Sequence, residues 1–485
     1  MTDALQAGHA AREVQGGREQ LRTVLIFAHE CAPYNRPEST IGAQRPAQFA
    51  KYLPEFGWRA IVLCCDNAKR GRGWSDEDAS EVREAIERND PNSSVVIATP
   101  SLPWDGMLDR AWQTAMRANG APLSAIVRKP LTFAKFFTGD YSQAWQPCAR
   151  AAARIIAQST RIDACIGEHS PDAGIFLARW FSRRYGVPWV ADFRDPMLLG
   201  FRPAIRPLLE PFARSRLSSS SHVVNVNQHC VELDEVLFGR PTTMISNGFD
   251  PKQFADSEPQ RSRDEFRIAY TGSVWPPGGL QIFFAGLAEL SSRLGASQQR
   301  RIRFVYRGGA SSLVEQLARD AGVAHMVDSA PHVPHAEALA LVRSAHMLLV
   351  LSATALEQRD PYWVRGVCPG KTFEYLASRR PILCVPGDGG LLDQLLYETG
   401  AGVSRAEPSG IASHLNALFS EFEHTGDVPS LTNEPLTARY SRRHGAEQLA
   451  AILSALTKMK RQSAAHDSER DAAGVDDAWT ARHGA

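Results

Sequence analysis

The chain has 485 residues, which is too long for one ordinary core and favours two domains. Hydrophobic residues make up 44% and charged residues 22%, as in globular proteins that fold in water. The formal net charge of +1 excludes a chain-wide field for nucleic acid, so any anion that the protein binds must be met by local groups.

The first residues, 1–21, carry acids and lack the apolar stretch of a signal peptide, so we predict a disordered leader and a cytoplasmic protein. The eight cysteines form no Cys-x-x-Cys pair, which favours buried thiols over metal ligands. The longest apolar runs are far shorter than the ~20 residues that span a bilayer.

An apolar run at 22–28, a helical pattern at 42–56 and a second apolar run at 60–65 form a β-α-β unit. Five more runs typical of strands follow, at 94–98, 163–167, 187–192, 222–226 and 242–246. Apolar strands that alternate with helices predict a parallel sheet covered on both faces. We therefore predict a Rossmann-like N-terminal domain over 22–246.

The polar stretch 247–264, which opens with the turn sequence NGFDP, is the predicted hinge. A second series of strands follows it, at 266–272, 301–308, 325–329, 346–352 and 381–385. The pattern predicts a C-terminal Rossmann-like domain (265–425), a further segment (426–460) whose helix covers 438–456, and a disordered tail (461–485). The predicted fold class is α/β, with two tandem Rossmann-like domains facing across a cleft.

The stretch GKTFEYLASRRPILCVPG, residues 370–387, combines a helix start with a buried strand. Backbone N–H groups at Gly370 and Thr372, together with the Lys371 ammonium, suit a phosphate. Glu374 lies one turn further on, where a carboxylate can accept two hydrogen bonds from a ribose diol. The alternative is an ordinary helix whose Lys and Glu are solvated.

Two glycine-containing loops lie at the same predicted sheet edge. YTGSVWPPGG holds Gly272 and Ser273, and VYRGGA holds Arg307 and Gly308. Glycine lets a ligand approach the backbone closely, although each loop alone is a weak signal.

The N-terminal domain offers its own candidates where predicted strands end. Gly42 and Arg45 follow a polar loop, and they border either the same phosphate or a second substrate, unless the loop only connects elements. His169, Arg194 and Asp195, in GEHSPDAG and ADFRDPM, are the catalytic candidates, because acid–base clusters at strand ends are where reaction chemistry is usually built.

The order of several motifs resembles the GT-B glycosyltransferases of family 4, particularly bacterial members that build surface polysaccharides. The matching motifs, between about residues 22 and 456, are VPWVADFRDPM, MISNGFDP, IAYTGS and PGKTFEYLASRRPIL. The resemblance implies a transferase that takes a sugar from a nucleotide diphosphate bound by the C-terminal domain, with Glu374 on the ribose. It also implies a last helix that crosses back to the N-terminal domain, retention of configuration, and no cofactor or bound metal.

Two departures from the family pattern affect the site. The family's first glutamate falls at Gly366, so this carboxylate is absent or displaced within residues 352–369. The Arg and Lys that many members place after the first strand of the second domain are also absent. We assign their work to Lys371, Arg307 and Arg365.

The expected partners are a nucleotide-sugar donor and a saccharide or lipid-linked saccharide acceptor. The segments 128–137 and 201–217 mix basic with apolar residues, which suits either peripheral contact with the inner membrane or ordinary packing with a basic face. Two other functions remain open: a nucleotide-sugar 2-epimerase, which would act without an acceptor, and a nucleotide-sugar-binding protein without turnover.

Overall fold

The computed structural model describes residues 21–34, 41–105, 107, 110, 136–138, 140–198, 201–255, 261–274, 276–354, 367–430 and 432–483. The first sheet consists of β1 (Arg22–Phe27), β2 (Trp58–Cys65), β3 (Val95–Thr99), β4 (Ala164–His169), β5 (Trp189–Phe193), β6 (His222–Asn225) and β7 (Thr242–Met244). Its strands are parallel, in the order β3-β2-β1-β4-β5-β6-β7. All seven correspond to strands predicted from the sequence.

The second sheet consists of β8 (Phe266–Thr271), β9 (Ile302–Arg307), β10 (Val327–Ala330), β11 (Met347–Leu351), β12 (Ile382–Val385) and β13 (Gly402–Ser404). It is also parallel, in the order β10-β9-β8-β11-β12-β13. The sequence missed β13, because this edge strand has three half-buried residues and no apolar run.

Helices cover both sheets. In the N-terminal domain they are α1 (Ile41–Tyr52), α2 (Asp76–Arg88), α3 (Gln146–Ser159), α4 (Ala173–Tyr185), α5 (Arg206–Leu217) and α6 (Gln228–Phe238). The later helices are α7 (Gly278–Arg293), α8 (Ala296–Gln299), α9 (Ser311–Asp320), α10 (His335–Ser344), α11 (Lys371–Ala377), α12 (Leu391–Thr399), α13 (Pro408–Thr425), α14 (Glu434–Ala438) and α15 (Arg442–His483). Short 3₁₀ turns occupy Leu53–Phe56, Asp140–Trp145, Pro251–Phe254 and Ala324–Met326.

Both strand orders are those of a doubly wound sheet. The order reverses between β1 and β4 in the first sheet and between β8 and β11 in the second. Ligands of such sheets bind beyond the carboxyl ends of the strands at this switch point. The chain therefore adopts the predicted fold of two Rossmann-like domains, and each domain places one switch point at the cleft between them.

The hinge sequence NGFDP contacts the residues just before α15 on one side and the end of α1 on the other. Phe249 forms a parallel bridge with Ser441, and a side chain on Gly248 would come within 2.3 Å of the Tyr440 carbonyl oxygen. Asp250 accepts hydrogen bonds from Lys51 and, at 2.5 Å, from the Tyr52 hydroxyl, both at the end of α1. The glycine thus permits the backbones to touch, and the aspartate fixes the hinge to the N-terminal domain.

The last helix, α15, crosses back to the N-terminal domain as predicted. Its buried residues Ala446, Leu449 and Leu453 join the core around Trp58, whose indole N–H donates to Ser454 at 3.0 Å. The helix continues to His483, through the tail that the sequence predicted to be disordered. Residues 457–473 contain no Gly or Pro and many strong helix formers, so they extend the helix. The domain boundaries themselves remain predictions.

Among the described helices, none has both the length and the apolar composition that crossing a bilayer requires. The cysteines are free thiols, seven of them buried and Cys368 half-buried.

Candidate functional site

Two cavities lie at the carboxyl ends of the strands. The larger, of about 430 Å³, belongs to the C-terminal domain. Its polar lining comprises Thr271, Gly272, Ser273, Arg307, Gly309, His332, His335, Gly370, Lys371 and Glu374. The smaller, of about 270 Å³, is lined by both domains, including Gly42, Arg194, Asp195, Asn227, Asn247, Cys368, Gly370 and Phe373. Val367 and Gly370 line both cavities, so the two cavities are adjacent.

Lys371 is the cation at the centre of the larger cavity. Its ammonium donates to the Ser273 carbonyl at 3.2 Å and lies 3.8 Å from the centre of the Tyr270 ring. Burial lowers the pKa of Lys371 to about 7, although the nearby Glu374 carboxylate opposes this shift. The ammonium is therefore under-solvated, and an anion that entered the cavity would stabilise its charge.

Glu374 faces His335 across the same cavity. The His335 Nε2 lies 3.5 Å from Glu374 Oε1. Burial raises the pKa of Glu374, and the neighbouring His335, Arg442 and Lys371 oppose the increase. This carboxylate lies at the cavity wall and is available to hydroxyl donors from a ligand.

The glycines of the two loops have different roles. Gly272 lines the cavity with φ of +86°, a backbone conformation that L side chains rarely adopt. Gly308 does not line it: a side chain there would collide with the Gly272 carbonyl at 2.2 Å and the Tyr306 hydroxyl at 2.3 Å. Gly308 lets the ends of β8 and β9 approach each other, while Gly309 faces the cavity.

Arg307 also lines the cavity, but its charge is shared with a neighbour. It forms an ion pair with Asp328 on β10, at 2.9 Å between Nη2 and Oδ2. Ser273 contributes its carbonyl, which accepts from both Lys371 and the Tyr270 hydroxyl. These contacts fix the loop that follows β8.

The start of α11 differs from the expected row of free donors. The Thr372 N–H donates to the Pro369 carbonyl at 2.9 Å, and the Phe373 N–H to the Gly370 carbonyl at 3.2 Å. Thr372 is fully buried and lines neither cavity. Since this helix has only seven residues, Lys371 is the stronger source of positive charge.

In the N-terminal domain, Arg194 and Asp195 line the smaller cavity. The Arg194 guanidinium packs on Gly42 so closely that a side chain at Gly42 would lie 1.7 Å from Nη1. Arg194 also donates to the Ser170 carbonyl, and its Nε lies 3.3 Å from Glu168 Oε1. Gly42 thus makes room for an arginine that reaches the cavity wall.

Glu168, at the end of β4, is 3% exposed. Neither of its carboxylate oxygens accepts a hydrogen bond from a described residue. Burial raises the pKa of Glu168 to about 8, even though the Arg194 charge opposes the shift. The carboxyl is therefore largely protonated at neutral pH.

Arg45 and His169, two of the predicted site residues, line neither cavity. Arg45 is 1% exposed and forms a two-pronged ion pair with Asp192, at 2.8 Å on both sides. His169 Nδ1 lies 2.6 Å from Asp172, whose other oxygen bonds to Arg216 at 3.2 Å. Both side chains belong to buried charge networks below the cavity wall.

The sequence analysis missed two residues of the cavity lining and one buried residue that contacts the lining. His332 and His335 follow the end of β10, and the rule that ligands gather at strand ends could have found them. Arg442, at the start of α15, is 6% exposed and donates to the Asn247 side chain at 3.2 Å. Burial lowers the pKa of Arg442 to about 9. No local sequence pattern identified Arg442, because this residue reaches the cleft only where α15 crosses back to the N-terminal domain.

Arg365 and Gly366, which the sequence connected with the displaced glutamate, lie outside the described residues. Within the described ranges, no group of three or more His, Cys, Asp or Glu side chains is arranged to hold a metal ion. The need for a metal is untested, and its absence stays a prediction.

No protein-family model matches the sequence, and no curated protein is significantly similar to it. Solved structures share its fold at low identity. A glycosyltransferase from Rickettsia africae has a TM-score of 0.53 and 12% identity over 91% of this chain and 100% of its own. The N-terminal domain of trehalose-6-phosphate phosphatase from Candida albicans has a TM-score of 0.56 and 9% identity over 92% and 99%. HepE from Anabaena, in complex with UDP, has a TM-score of 0.51 and 13% identity over 90% and 100%.

Proposed function

We propose that the protein is a glycosyltransferase that moves a sugar from a nucleotide-diphosphate sugar to an acceptor hydroxyl. The observation that carries the proposal is the adjacency of the two cavities: one is lined by Lys371 and Glu374 in the C-terminal domain, and the other is lined by both domains. Two solved structures of the same fold, HepE with UDP and HepE with UDP-glucose, support a nucleotide sugar as the ligand.

The roles follow from the chemistry of each side chain. Lys371, with the loops at Gly272 and Ser273, meets the diphosphate, whose β-phosphate gains negative charge as the glycosidic bond breaks. Arg307 adds a second cation at the cavity edge. Glu374, positioned by His335, accepts hydrogen bonds from the ribose hydroxyls.

The acceptor enters from the N-terminal half, where Asp195 and Arg194 line the shared cavity. Asp195 can accept a hydrogen bond from the acceptor hydroxyl and orient it, and Arg194 can bind a polar acceptor group. For retention, the hydroxyl attacks the face that the diphosphate leaves, and its proton passes to the departing diphosphate. His169 is given no step here, since its ring contacts Asp172 below the wall. Membership of family 4, retention of configuration, independence of metal, a cytoplasmic location and a role in surface polysaccharide or glycoconjugate synthesis belong to the same proposal.

The test begins with binding. Thermal unfolding in the presence of UDP, GDP, ADP and dTDP should show one diphosphate that raises the Tm, and the same diphosphate should give no increase with the Lys371→Met variant. A matched control is Arg319→Met, an exposed C-terminal-domain residue outside the cavity lining. If no diphosphate raises the Tm of the wild-type protein, the proposal is wrong.

Turnover is measured next, with the corresponding radiolabelled nucleotide sugar and a panel of saccharide and lipid-linked acceptors. Label should appear in an acceptor and only when an acceptor is present. A sugar product formed without acceptor would identify an epimerase instead. Binding without any turnover would identify a nucleotide-sugar-binding protein.

A further inference from the structure

Outside the cleft, five arginines surround Trp180 on the N-terminal domain. Arg179, Arg183 and Arg184 line an open groove of about 520 Å³ with Phe176 and Trp180. From α3, the Arg150 and Arg154 guanidinium groups lie 5.6 and 5.5 Å from the centre of the Trp180 ring. We call Arg150, Arg154, Arg179, Arg183 and Arg184 the arginine groove.

Within the described ranges, these charges have no acidic partners nearby. Among the residues that the structure describes, no Asp or Glu lies within ion-pair distance of any of the five, and the Nε atoms of Arg150 and Arg179 are buried without a hydrogen-bond partner. Burial, followed by the neighbouring Arg154, lowers the pKa of Arg150, and burial with Arg183 does the same to Arg179. Like charges held this closely are unfavourable until an anion joins them.

An apolar ridge adjoins the groove. Phe137, Leu208 and Phe212 are 45%, 70% and 50% exposed, although large apolar side chains are normally buried. Leu208 and Phe212 are four residues apart on α5 and so share a face. Phe137 and Phe212 touch, with ring centres 5.1 Å apart. We call these three residues the apolar ridge.

A continuous line of contacts joins the ridge to the groove. Phe136 packs against Phe137 at 5.2 Å, and the Arg216 guanidinium lies 3.9 Å from the Phe136 ring and 4.9 Å from the Phe176 ring. Phe176 in turn lines the groove. Phe136 and Arg216 are buried, so these contacts run beneath the surface. Because α4 packs against both α3 and α5, the groove and the ridge lie on one face formed by these neighbouring helices.

We propose that this face docks on an anionic phospholipid bilayer, with the arginine groove on the lipid phosphates and the apolar ridge inserted below them. The charge complementarity favours this occupant: a bilayer supplies an anionic layer above an apolar one, whereas a nucleic acid duplex offers no apolar phase for Leu208 and Phe212. A tryptophan among the arginines also suits the headgroup layer.

The face belongs to the half of the molecule proposed to receive the acceptor. α5 follows β5, and Arg194 and Asp195 lie between them at the wall of the shared cavity. This step rests on the proposed function: an acceptor carried by a membrane lipid would then meet the cleft from the bilayer surface. Docking itself is measured without any substrate, so the failure of one proposal does not entail the failure of the other.

The experiment is flotation of the full chain with vesicles of phosphatidylcholine alone, and with vesicles containing roughly a third phosphatidylglycerol. We expect the protein to float only with the anionic vesicles and to be released by high salt, because salt screens the arginine charges. Reversing two exposed charges, Arg183→Glu with Arg184→Glu, should lower the bound fraction at least tenfold. Leu208→Ser with Phe212→Ser should lower it at low salt as well.

Matched controls use exposed residues of the same type away from the face. Arg300→Glu with Arg319→Glu, on the C-terminal domain, and Val236→Ser, on α6 and 80% exposed, should float like the wild type. Circular dichroism and nucleotide-induced changes in Tm establish that each variant is folded. The proposal fails if the wild type does not float with anionic vesicles, if it floats equally with neutral ones, or if the controls lose as much binding. It also fails if the wild type binds single-stranded RNA but not vesicles under the same conditions.

Discussion

In the C-terminal half of the cleft, Lys371 and Glu374 line a cavity, whereas in the N-terminal half Arg45 and Asp192 bond to each other beneath the wall. Both halves are Rossmann-like sheets with charged residues at the ends of their strands. They differ in what those charges contact. Lys371 faces a space that a ligand can enter, whereas Arg45 and Arg216 beneath the N-terminal wall are bonded to carboxylates of their own domain.

The difference distinguishes charged residues that a ligand can reach from charged residues that stabilise the folded domain. The network of His169, Asp172 and Arg216 is buried, as is the Arg45–Asp192 pair, so neither can meet a substrate without breaking. Arg194 lies between the two cases, because its carboxyl neighbour Glu168 is largely protonated. The N-terminal half therefore presents Arg194 and Asp195 to the cleft, and the C-terminal half presents Lys371, Glu374 and Arg307 to its cavity.

The largest expected effect is a loss of stability when a buried ion pair of the N-terminal domain is broken. Arg45→Met leaves the Asp192 carboxylate buried without its partner, and removal of one member of a buried pair typically costs about 3–5 kcal/mol of the free energy of unfolding. Arg307→Met is the matched change in the C-terminal half, where the pair with Asp328 is partly exposed, and should cost at most about 1 kcal/mol. Urea unfolding of both variants measures the contrast. Equal losses would contradict the comparison.

The second effect concerns binding. Lys371→Met should weaken nucleotide-diphosphate affinity by about tenfold to a hundredfold, or about 1.4–2.8 kcal/mol, because the diphosphate loses its central cation. Its stability should be unchanged or higher, since a poorly solvated ammonium is removed. Calorimetric titration and urea unfolding provide the two measurements. Normal affinity in this variant would rule out Lys371 as the residue that binds the diphosphate.

The elements that positioned these residues were predictable where local pattern decides structure. Continuous apolar runs such as 346–352 and 60–65 marked central parallel strands, and the motif at 370–387 placed Lys371 and Glu374 in the first turn of a helix that faces the cleft. β13 was missed because a short edge strand has no such run. The tail was predicted to be disordered from its polarity, although its helix propensity favours continuation of α15.

Which charges cancel was not predictable, because partners meet only in the folded chain. Arg45 and Asp192 are 147 residues apart in sequence, and nothing local to either announces the pair. The same limit applies to Gly308, whose lack of a side chain serves contact between loops. Residue type and position at a strand end identify candidates, but tertiary pairing decides which of them face the cavity.

A third prediction tests the exception in the N-terminal half. The pKa of Glu168 is raised to about 8 from an ordinary 4.5, so between these pH values the folded protein binds more protons than the unfolded chain. Its contribution to stability is therefore present at low pH and declines as the pH rises towards 8, by at most about 1.4 kcal/mol per pH unit. Glu168→Gln should lack this decline and be the more stable protein at pH 8.

The measurement is urea unfolding of the wild type and Glu168→Gln at several pH values from 5 to 8.5. Asp172→Asn is the control, because a second buried carboxylate lies in the same domain. Burial raises the pKa of Asp172, but His169 and Arg216 outweigh it and lower the pKa overall. Asp172→Asn should therefore destabilise the protein across this range. A Glu168→Gln variant that is less stable at pH 8 would show that the carboxylate is ionised and paired with Arg194.

The smallest expected effect is a proton count at the C-terminal cavity. Because the pKa of Lys371 is lowered to about 7, about half of the molecules carry a neutral amine at that pH, and a bound diphosphate favours the charged form. Binding of UDP-glucose, whose phosphates do not titrate in this range, should take up about half a proton near neutral pH and more as the pH rises by one unit. Titration calorimetry in buffers of different ionisation enthalpy gives the number directly, and Lys371→Met should reduce it to near zero. If proton uptake persisted in that variant, the proton would have to bind another group facing the cavity, of which His335 and Glu374 are the nearest. The contrast between an open charge in the C-terminal half and paired charges in the N-terminal half would then rest on Glu374.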